Sequence, residues 1–196
     1  KPINENEKPS FKTVYGETKY LTEQMLLKSN FTGDIYILRC PIILGKKRSY
    51  RFGILFGLIK DNYNIPLIGK CKNKISFVHV TDVVRAFLAA AKTTKVGKIY
   101  NVGTGKPQTV NYLSNLVGGR KVFIPNRPGE PKRSCANISK IRRELKWKPK
   151  IKFRDGIFQM LSEINKWKDA PLWTPKKIKK VTKSWFRYLS KNKKNV

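Results

Sequence analysis

Short apolar runs separated by polar, glycine or proline turns recur along the chain. The runs at 34–40, 65–69, 75–80, 98–102 and 120–124 are mostly apolar rather than alternating. Continuous apolar runs of this length are typical of strands that are buried on both faces of a parallel sheet. We therefore expect five strands at these positions, the first of them ending at Pro41 and followed by a loop.

Between these runs, apolar residues recur at helical spacing. We expect Thr13, the pair Thr81 and Asp82, and Thr109 to cap three of the helices, because short polar side chains accept hydrogen bonds from the first turn. Alternation of strands and helices favours an α/β fold. The predicted helices are 14–28, 52–60, 83–92, 110–117, 138–145 and 153–167.

The helix at 14–28 is expected to pack through one stripe of its surface. Its packing face would consist of five side chains: Tyr20, Leu21, Gln24, Met25 and Leu27.

The last part of the chain differs in composition from the rest. The segment 174–189 places apolar residues at helical spacing among many lysines, which predicts a basic amphipathic helix. We interpret 1–170 as one domain and 171–196 as a basic helix and tail. No internal repeat is present.

Composition excludes several classes of protein. No apolar run approaches the roughly 18 residues of a membrane span, and the polar, proline-containing start is unlike a signal peptide. The three cysteines, Cys40, Cys71 and Cys135, are widely separated, which argues against a disulfide framework or a zinc site. A cytoplasmic, reducing location is the simplest interpretation. The start, which has no Met, predicts the interior of a longer protein.

The formal net charge of +31 changes the picture of possible partners. Clustered basic residues are typical of nucleic-acid binding. Here the basic residues are spread along the chain and lysine far outnumbers arginine, so we expect attraction of anionic substrates and no specific nucleic-acid site. The alternative interpretation is a catalytically inactive, basic remnant that binds nucleic acid or another anionic partner.

One turn of the first helix carries candidate chemistry. Tyr15 and Lys19 are four residues apart, so a helix places them on one face, one turn apart. Tyrosine is a poor base at neutral pH, and an ammonium group beside a phenol favours the phenolate. The spacing is compatible with a general acid/base, although it also occurs by chance on solvated helices.

Seven segments in order resemble one family, the extended short-chain dehydrogenase/reductases that include the sugar-nucleotide epimerases and dehydratases. Tyr15-Gly16-Glu17-Thr18-Lys19 is similar to the family's Tyr-x-x-x-Lys signature, and the resemblance extends from residue 1 to about residue 165. The other matching segments are 38–45, 76–83, 100–105, 127–130, 137–140 and 145–149.

The resemblance implies a fold and a reaction class. The fold is an α/β class: the C-terminal part of a Rossmann-type parallel sheet with a small mixed α/β substrate domain. The cofactor is NAD or NADP, and the substrate is a nucleoside-diphosphate sugar, with UDP-glucose 4-epimerase-like activity as the first expectation. The resemblance is also compatible with a homodimer, and no membrane partner is expected.

The resemblance also assigns roles. Tyr15 would take a proton from a sugar hydroxyl during hydride transfer, and Lys19 would favour the Tyr15 phenolate and bind the nicotinamide ribose. Cys40 and Pro41 would run beside the nicotinamide through their backbone, although a proline that simply ends a strand explains them almost as well.

Arginine side chains are the candidate substrate ligands. Arg127 is the preferred diphosphate ligand because a guanidinium fork matches phosphate oxygens, with a solvated loop arginine as the alternative. Arg48 and Arg51 are weaker candidates for the same phosphates. His79 is interpreted as a structural histidine and Asp82 as a helix cap rather than an acid.

The chain departs from the family pattern in several respects. It contains no Gly-rich strand-turn-helix for the dinucleotide pyrophosphate, and Gly103-Thr104-Gly105 comes too late to replace it. The family's catalytic Ser or Thr would fall before Lys1. These departures predict that the chain is the C-terminal portion of an enzyme, without the Gly-rich half. Differences at Ile42, Ile75 and Asn137 leave the substrate open.

Overall fold

The computed structural model describes residues 1–11, 13–46, 52–95, 98–125 and 132–166, together with Lys180 and Lys183. The predicted basic helix at 174–189 therefore lies outside the described residues, apart from these two lysines. Among the described residues, none of the helices is both long and apolar enough to cross a bilayer.

The described helices follow the predicted order closely. A short 3-10 helix, Ile164–Lys166, comes after the last of them. The α-helices are α1 (Val14–Lys28), α2 (Phe52–Lys60), α3 (Val80–Ala91), α4 (Val110–Val117), α5 (Ser139–Glu144) and α6 (Phe153–Leu161).

The described strands include the five that were predicted and three that were not. The strand predicted at 75–80 forms two separate strands, and two further short strands are present. The strands are β1 (Tyr36–Arg39), β2 (Ile42–Leu44), β3 (Ile65–Ile68), β4 (Lys74–Ile75), β5 (Phe77–His79), β6 (Lys98–Asn101), β7 (Gln108–Thr109) and β8 (Lys121–Ile124).

Three of the four described strand pairs are parallel. β1 pairs with β6, β2 with β5 and β3 with β8 in parallel, and β4 pairs with β7 in the antiparallel sense. Parallel pairs linked through helices are the hallmark of α/β architecture. The predicted α/β class with parallel, Rossmann-type strands is confirmed.

The strand β2 corrects the prediction of a loop after Pro41. Proline has no backbone N–H and cannot join a ladder on that side, so the pairing of β1 with β6 ends at Arg39. The chain does not turn away, however. It resumes pairing at Ile42, now beside Phe77 of β5.

Two buried clusters lie on opposite faces of β5. Phe77 packs into a cluster with Phe56 of α2 and Ile157 of α6. Its neighbour Val78 packs into a second cluster with Tyr100. Successive side chains of a strand point to opposite faces, so this three-residue strand connects both cores.

The N-terminus of α3 corrects a predicted cap. The cap is His79, not the Thr81–Asp82 pair: the His79 backbone is extended and its Nδ1 accepts a hydrogen bond from the Thr81 N–H at 3.4 Å. Asp82 lies inside the first turn and is completely buried. Its carboxylate accepts hydrogen bonds from the backbone N–H groups of Lys150 and Ile151 at 3.1 Å and pairs with Arg85.

The C-terminus of α6 also differs from the prediction of a helix that continues to residue 167. The α-helix ends at Leu161. After it, the Glu163 N–H donates to the carbonyl of Met160, three residues back, which is the tighter pairing of a 3-10 turn. Trp147 is a packing residue: it is buried, and its Nε1 donates to the Asp82 carbonyl at 3.0 Å.

Candidate active site

Local capping interactions determine where the helix α1 begins and ends. Thr13 has extended backbone angles, and its Oγ1 accepts a hydrogen bond from the Gly16 N–H at 3.2 Å. Glu17 in the first turn and Lys28 in the last turn complement the helix dipole. These local signals hold Tyr15 and Lys19 in helical register.

Tyr15 and Lys19 lie together on the surface of α1. The Lys19 Nζ is 5.7 Å from the centroid of the Tyr15 ring, a distance at which an ammonium group is attracted by an aromatic face. The Tyr15 side chain is 72% exposed. The structure thus brings the predicted pair together, with the tyrosine accessible to a substrate.

The inward stripe of α1 is largely polar and matches the predicted packing face only in part, at Tyr20 and Gln24. None of its residues is buried, and its half-buried positions are Gly16, Tyr20, Glu23 and Gln24. The large apolar residues of the predicted face are exposed instead: Leu21, Met25 and Leu27.

Arg39, at the end of β1, connects this stripe to the rest of the fold. Its Nε donates to Glu23 Oε1 at 2.9 Å and its Nη2 donates to Glu23 Oε2 at 2.6 Å, which is a bidentate contact. Its Nη1 donates to the Glu5 carbonyl at 2.9 Å. The hydrogen bond with Glu23 is the main cause that raises the pKa of Arg39.

Sequence reasoning missed the Arg39–Glu23 pair. Two signals were available: Arg39 is a charged residue in an otherwise apolar strand, and Glu23 follows Lys19 at helical spacing. Neither signal identifies the partner, since the contact joins two elements.

Cys40 and Pro41 lie at the point where the chain changes its strand partner. The Val102 N–H donates to the Arg39 carbonyl at 3.0 Å, and a Cβ atom built on Gly103 would lie 3.7 Å from Pro41 Cγ. The carboxyl ends of β1 and β6 therefore meet here, which is where open α/β sheets bind ligands. Burial raises the pKa of the Cys40 thiol, which favours the neutral thiol over a reactive thiolate.

The first residues of the chain lie across the same edge. The Asn101 N–H donates to Glu5 Oε1 at 2.8 Å, and the Asn101 Nδ2 donates to the Ile3 carbonyl at 2.9 Å. The Ile3 N–H in turn donates to the Cys135 carbonyl. The loop before α1 is thus fixed to the end of β6.

An open cleft of about 470 Å³ lies between this loop and α5. None of the predicted site residues that the structure describes lines it. The lining residues are Asn4, Glu5, Asn6, Glu7, Asn137, Ser139, Lys140 and Arg143.

The predicted arginine ligands of the substrate lie outside the described residues. This applies to Arg127 and Arg51, and also to Arg48. Their roles stay predictions.

His79 is buried at the junction of β5 and α3. Its Nδ1 lies 2.9 Å from Thr81 Oγ1, and its Nε2 has no hydrogen-bond partner among the described residues. A Cβ atom on Gly156 of α6 would lie 3.2 Å from the imidazole. The placement supports the structural interpretation of His79 over that of a base.

Curated relatives match most of this chain. A protein described as a putative UDP-glucose 4-epimerase from Methanocaldococcus jannaschii is 28% identical over 174 residues, which are 82% of this chain and 56% of that protein. A dTDP-glucose 4,6-dehydratase from an Actinoplanes species is 25% identical over 138 residues, which are 66% of this chain and 43% of that enzyme. The chain spans about half the length of these relatives.

Solved structures show the same partial match. The UDP-glucose 4-epimerase of Thermotoga maritima, solved with UDP-glucose, superposes with a TM-score of 0.77 at 26% identity. The match covers 84% of this chain and 57% of that one. The UDP-glucuronic acid 4-epimerase of Bacillus cereus, solved with UDP-glucuronic acid and NAD, gives 0.78 at 24% identity and covers 85% and 57%. The latter similarity shows the fold alone.

The sequence pattern of one family matches residues 1–103, which is more than half of the chain. These residues include the Tyr15–Lys19 turn, the Arg39–Pro41 segment and the strands β1, β2, β5 and β6. On this match, the chain belongs to the NAD dependent epimerase/dehydratase family.

Proposed function

We propose that the chain is the C-terminal portion of an NAD- or NADP-dependent sugar-nucleotide epimerase or dehydratase. The observation that carries the proposal is the exposed Tyr15–Lys19 pair on α1, with the ammonium 5.7 Å from the ring centroid. The pair occurs in a chain of the epimerase/dehydratase family. The Arg39–Glu23 contact connects its helix to the carboxyl end of β1.

Exposed apolar side chains support the view that further polypeptide covers this portion. Val84, Phe87 and Leu88 of α3 are each more than half exposed, as are Leu21 and Met25 of α1. Clusters of large exposed apolar residues mark surfaces that pack against another element. Among the described residues, β1 and β6 pair only with each other, so a sheet can continue at their outer edges.

The residues of this chain fit one end of the dinucleotide. The Lys19 ammonium supplies three donors, which suits the hydroxyls of the nicotinamide ribose, and the Cys40–Pro41 backbone lies near the carboxyl end of β1. The pyrophosphate end requires a Gly-rich turn, which the 196 residues do not contain. We assign that end to polypeptide outside this sequence.

Tyr15 acts as the proton acceptor and donor for a sugar hydroxyl. When bound, NAD supplies the hydride acceptor and donor. The Tyr15 oxygen, as phenolate, takes the proton of the sugar hydroxyl while the carbon that bears this hydroxyl loses a hydride. Tyr15 returns the proton when the resulting keto group is reduced again. Lys19 stabilises the negative charge on the Tyr15 oxygen because it lies one turn away on the same helix.

The substrate proposed is a nucleoside-diphosphate sugar. UDP-glucose 4-epimerase-like chemistry is the first choice, since one relative carries that description and a structure of similar fold contains UDP-glucose. Arg127 and Arg51 would bind the diphosphate. We place these substrate-binding residues in a domain at 1–170, which includes the small substrate domain. We also propose that the protein is cytoplasmic and forms a homodimer.

The test is the change Tyr15→Phe in the full-length protein, assayed with NAD and UDP-glucose. Removing a positioned general base costs about 10²–10⁴-fold in rate, so kcat should fall by that factor while NAD is retained. Tyr63→Phe, which removes the hydroxyl of another exposed tyrosine, should leave kcat unchanged. Equal activity of the wild type and Tyr15→Phe would refute the assignment.

A further inference from the structure

We infer that Arg39 is a positioning residue that sets the rotation and placement of α1, and through it the Tyr15–Lys19 pair. The inference rests on the proposed function for its catalytic part. The anchoring itself depends only on the contacts of Arg39 with Glu23 and Glu5.

Within this chain, buried apolar packing does not fix α1. In most helices a buried apolar stripe sets the rotation about the helix axis. Here no residue of α1 is buried, and the half-buried stripe of Gly16, Tyr20, Glu23 and Gln24 is largely polar. Within this chain, directional contacts must therefore orient α1.

The Arg39–Glu23 contact is directional and partly shielded from water. Both Glu23 oxygens accept hydrogen bonds from one planar guanidinium group. The exposed fractions of the two side chains are 25% and 16%, so water screens the contact less than a fully exposed pair. A bidentate fork fixes orientation as well as distance.

The helix α1 links the Arg39–Glu23 contact to the Tyr15–Lys19 pair. Tyr15, Lys19 and Glu23 follow one another at four-residue intervals along α1, with Tyr15 and Lys19 exposed and Glu23 on the half-buried side next to them. Rotation of α1 that separates Glu23 from Arg39 would displace Tyr15 and Lys19 in the same direction. An error of about 1 Å at a reacting group can cost about 10²-fold in rate.

The same guanidinium group also binds the loop before α1. Its third donor goes to the Glu5 carbonyl, and Glu5 is held in turn by the Asn101 N–H at the end of β6. One side chain thus joins α1, the loop before it and the end of the strand next to Cys40 and Pro41.

Hydrogen exchange on the 196-residue chain tests the anchoring. In Arg39→Ala, amides of α1 should exchange at least about tenfold faster, while amides of β2 and β5 change by less than about twofold. Arg39→Lys keeps the charge but not the fork, and should also accelerate exchange in α1. If Arg39→Ala does not fold, the exchange rates of Arg39→Lys decide the question.

A double-mutant cycle shows whether Arg39 acts through Glu23. If it does, the double variant Arg39→Ala/Glu23→Ala should exchange no faster in α1 than the faster single variant. Arg85→Ala is the matched control, because it removes another partly exposed arginine from an ion pair, that with Asp82. In Arg85→Ala, hydrogen exchange of the α1 amides should not be accelerated relative to that of the core amides.

Three results would overturn the inference. They are unchanged exchange in α1, equal acceleration in α1 and the core, and single effects that simply multiply in the double variant.

The catalytic part is tested separately in the full-length protein. Arg39→Ala should lower kcat by about 10–10²-fold and change the KM for the sugar nucleotide by less than about threefold. Full activity in Arg39→Ala together with a loosened α1 would refute positioning. An inactive wild type would refute the proposed function instead, and leave the exchange result on anchoring intact.

Discussion

At the residue scale, the buried His79 imidazole is a group whose protonation affects stability. Burial lowers its pKa from the ordinary value, and the nearby Asp82 carboxylate opposes this shift only in part. Because its Nδ1 accepts the hydrogen bond from the Thr81 N–H, the neutral ring carries its proton on Nε2, and a second proton would go to Nδ1 and remove that acceptor. The folded protein therefore holds His79 neutral.

This predicts a stability that falls in mild acid. In the unfolded chain His79 takes up a proton near pH 6.5, but in the folded chain it does so only at lower pH. The free energy of unfolding should accordingly decrease as the pH falls below about 6.5, and the loss should level off below the folded pKa. Urea denaturation at several pH values measures this.

His79→Asn provides the control for that prediction. Asparagine is a good N-cap and keeps an acceptor for the Thr81 N–H, but it does not titrate. The dependence on pH between about 7 and 5 should be smaller in this variant than in the wild type. An unchanged dependence would assign the effect to other groups.

Site residues differ in how far the sequence could identify them. Tyr15 and Lys19 could be found because their relation is local and depends only on helical spacing. Arg39 and Glu23 could not be paired, since their contact requires the placement of α1 against β1. Arg51 and Arg127 stay predictions because they lie outside the described residues.

At the element scale, the helix boundaries depend on individual caps. Thr109 Oγ1 accepts a hydrogen bond from the Tyr112 N–H at 3.0 Å and starts α4. Val117 and Ser114 of this helix are buried, so the cap supports an element that contributes to a core.

Removing the cap predicts a measurable loss. Thr109→Ala should lower the free energy of unfolding by about 1 kcal/mol, because a helix N–H loses its acceptor. Thr22→Ala is the control: its hydroxyl only donates to the Thr18 carbonyl within exposed α1, and the change should cost less than about 0.5 kcal/mol. Equal losses in chemical denaturation would contradict the capping role.

Elements with local signals were predictable, and those set by tertiary contacts were not. The bounds of α1, α2 and α4 agree with the sequence expectation, in two cases because a threonine cap marks the start. The start of α3 was wrong because histidine rarely serves as a cap. β2 was missed because Pro41 ends one ladder and a second begins one residue later.

At the scale of the whole molecule, alternation of apolar runs and amphipathic helices sufficed to predict the α/β class. It could not show which strands are neighbours, because parallel pairing is decided by contacts between distant segments. The division into 1–170 and 171–196 stays a prediction, as most of the second part lies outside the described residues.

A further prediction concerns the cofactor. The 196-residue chain should not bind NAD with micromolar affinity, because it lacks the Gly-rich turn that holds the pyrophosphate. Isothermal calorimetry on this chain, with the full-length protein as the positive control, measures the difference. Micromolar binding by the chain alone would contradict the assignment of the pyrophosphate site to other polypeptide.

The strand pairing has a consequence for how the chain folds. Tyr36 pairs with Lys98, Ile42 with Phe77, Ile65 with Lys121 and Lys74 with Thr109. Each pair joins segments more than about thirty residues apart, so loop-closure entropy is lost before any ladder forms. During synthesis β1 leaves the ribosome long before β6. The helix α1, which carries the proposed catalytic pair, therefore stays exposed until β6, the partner of β1, has been synthesised.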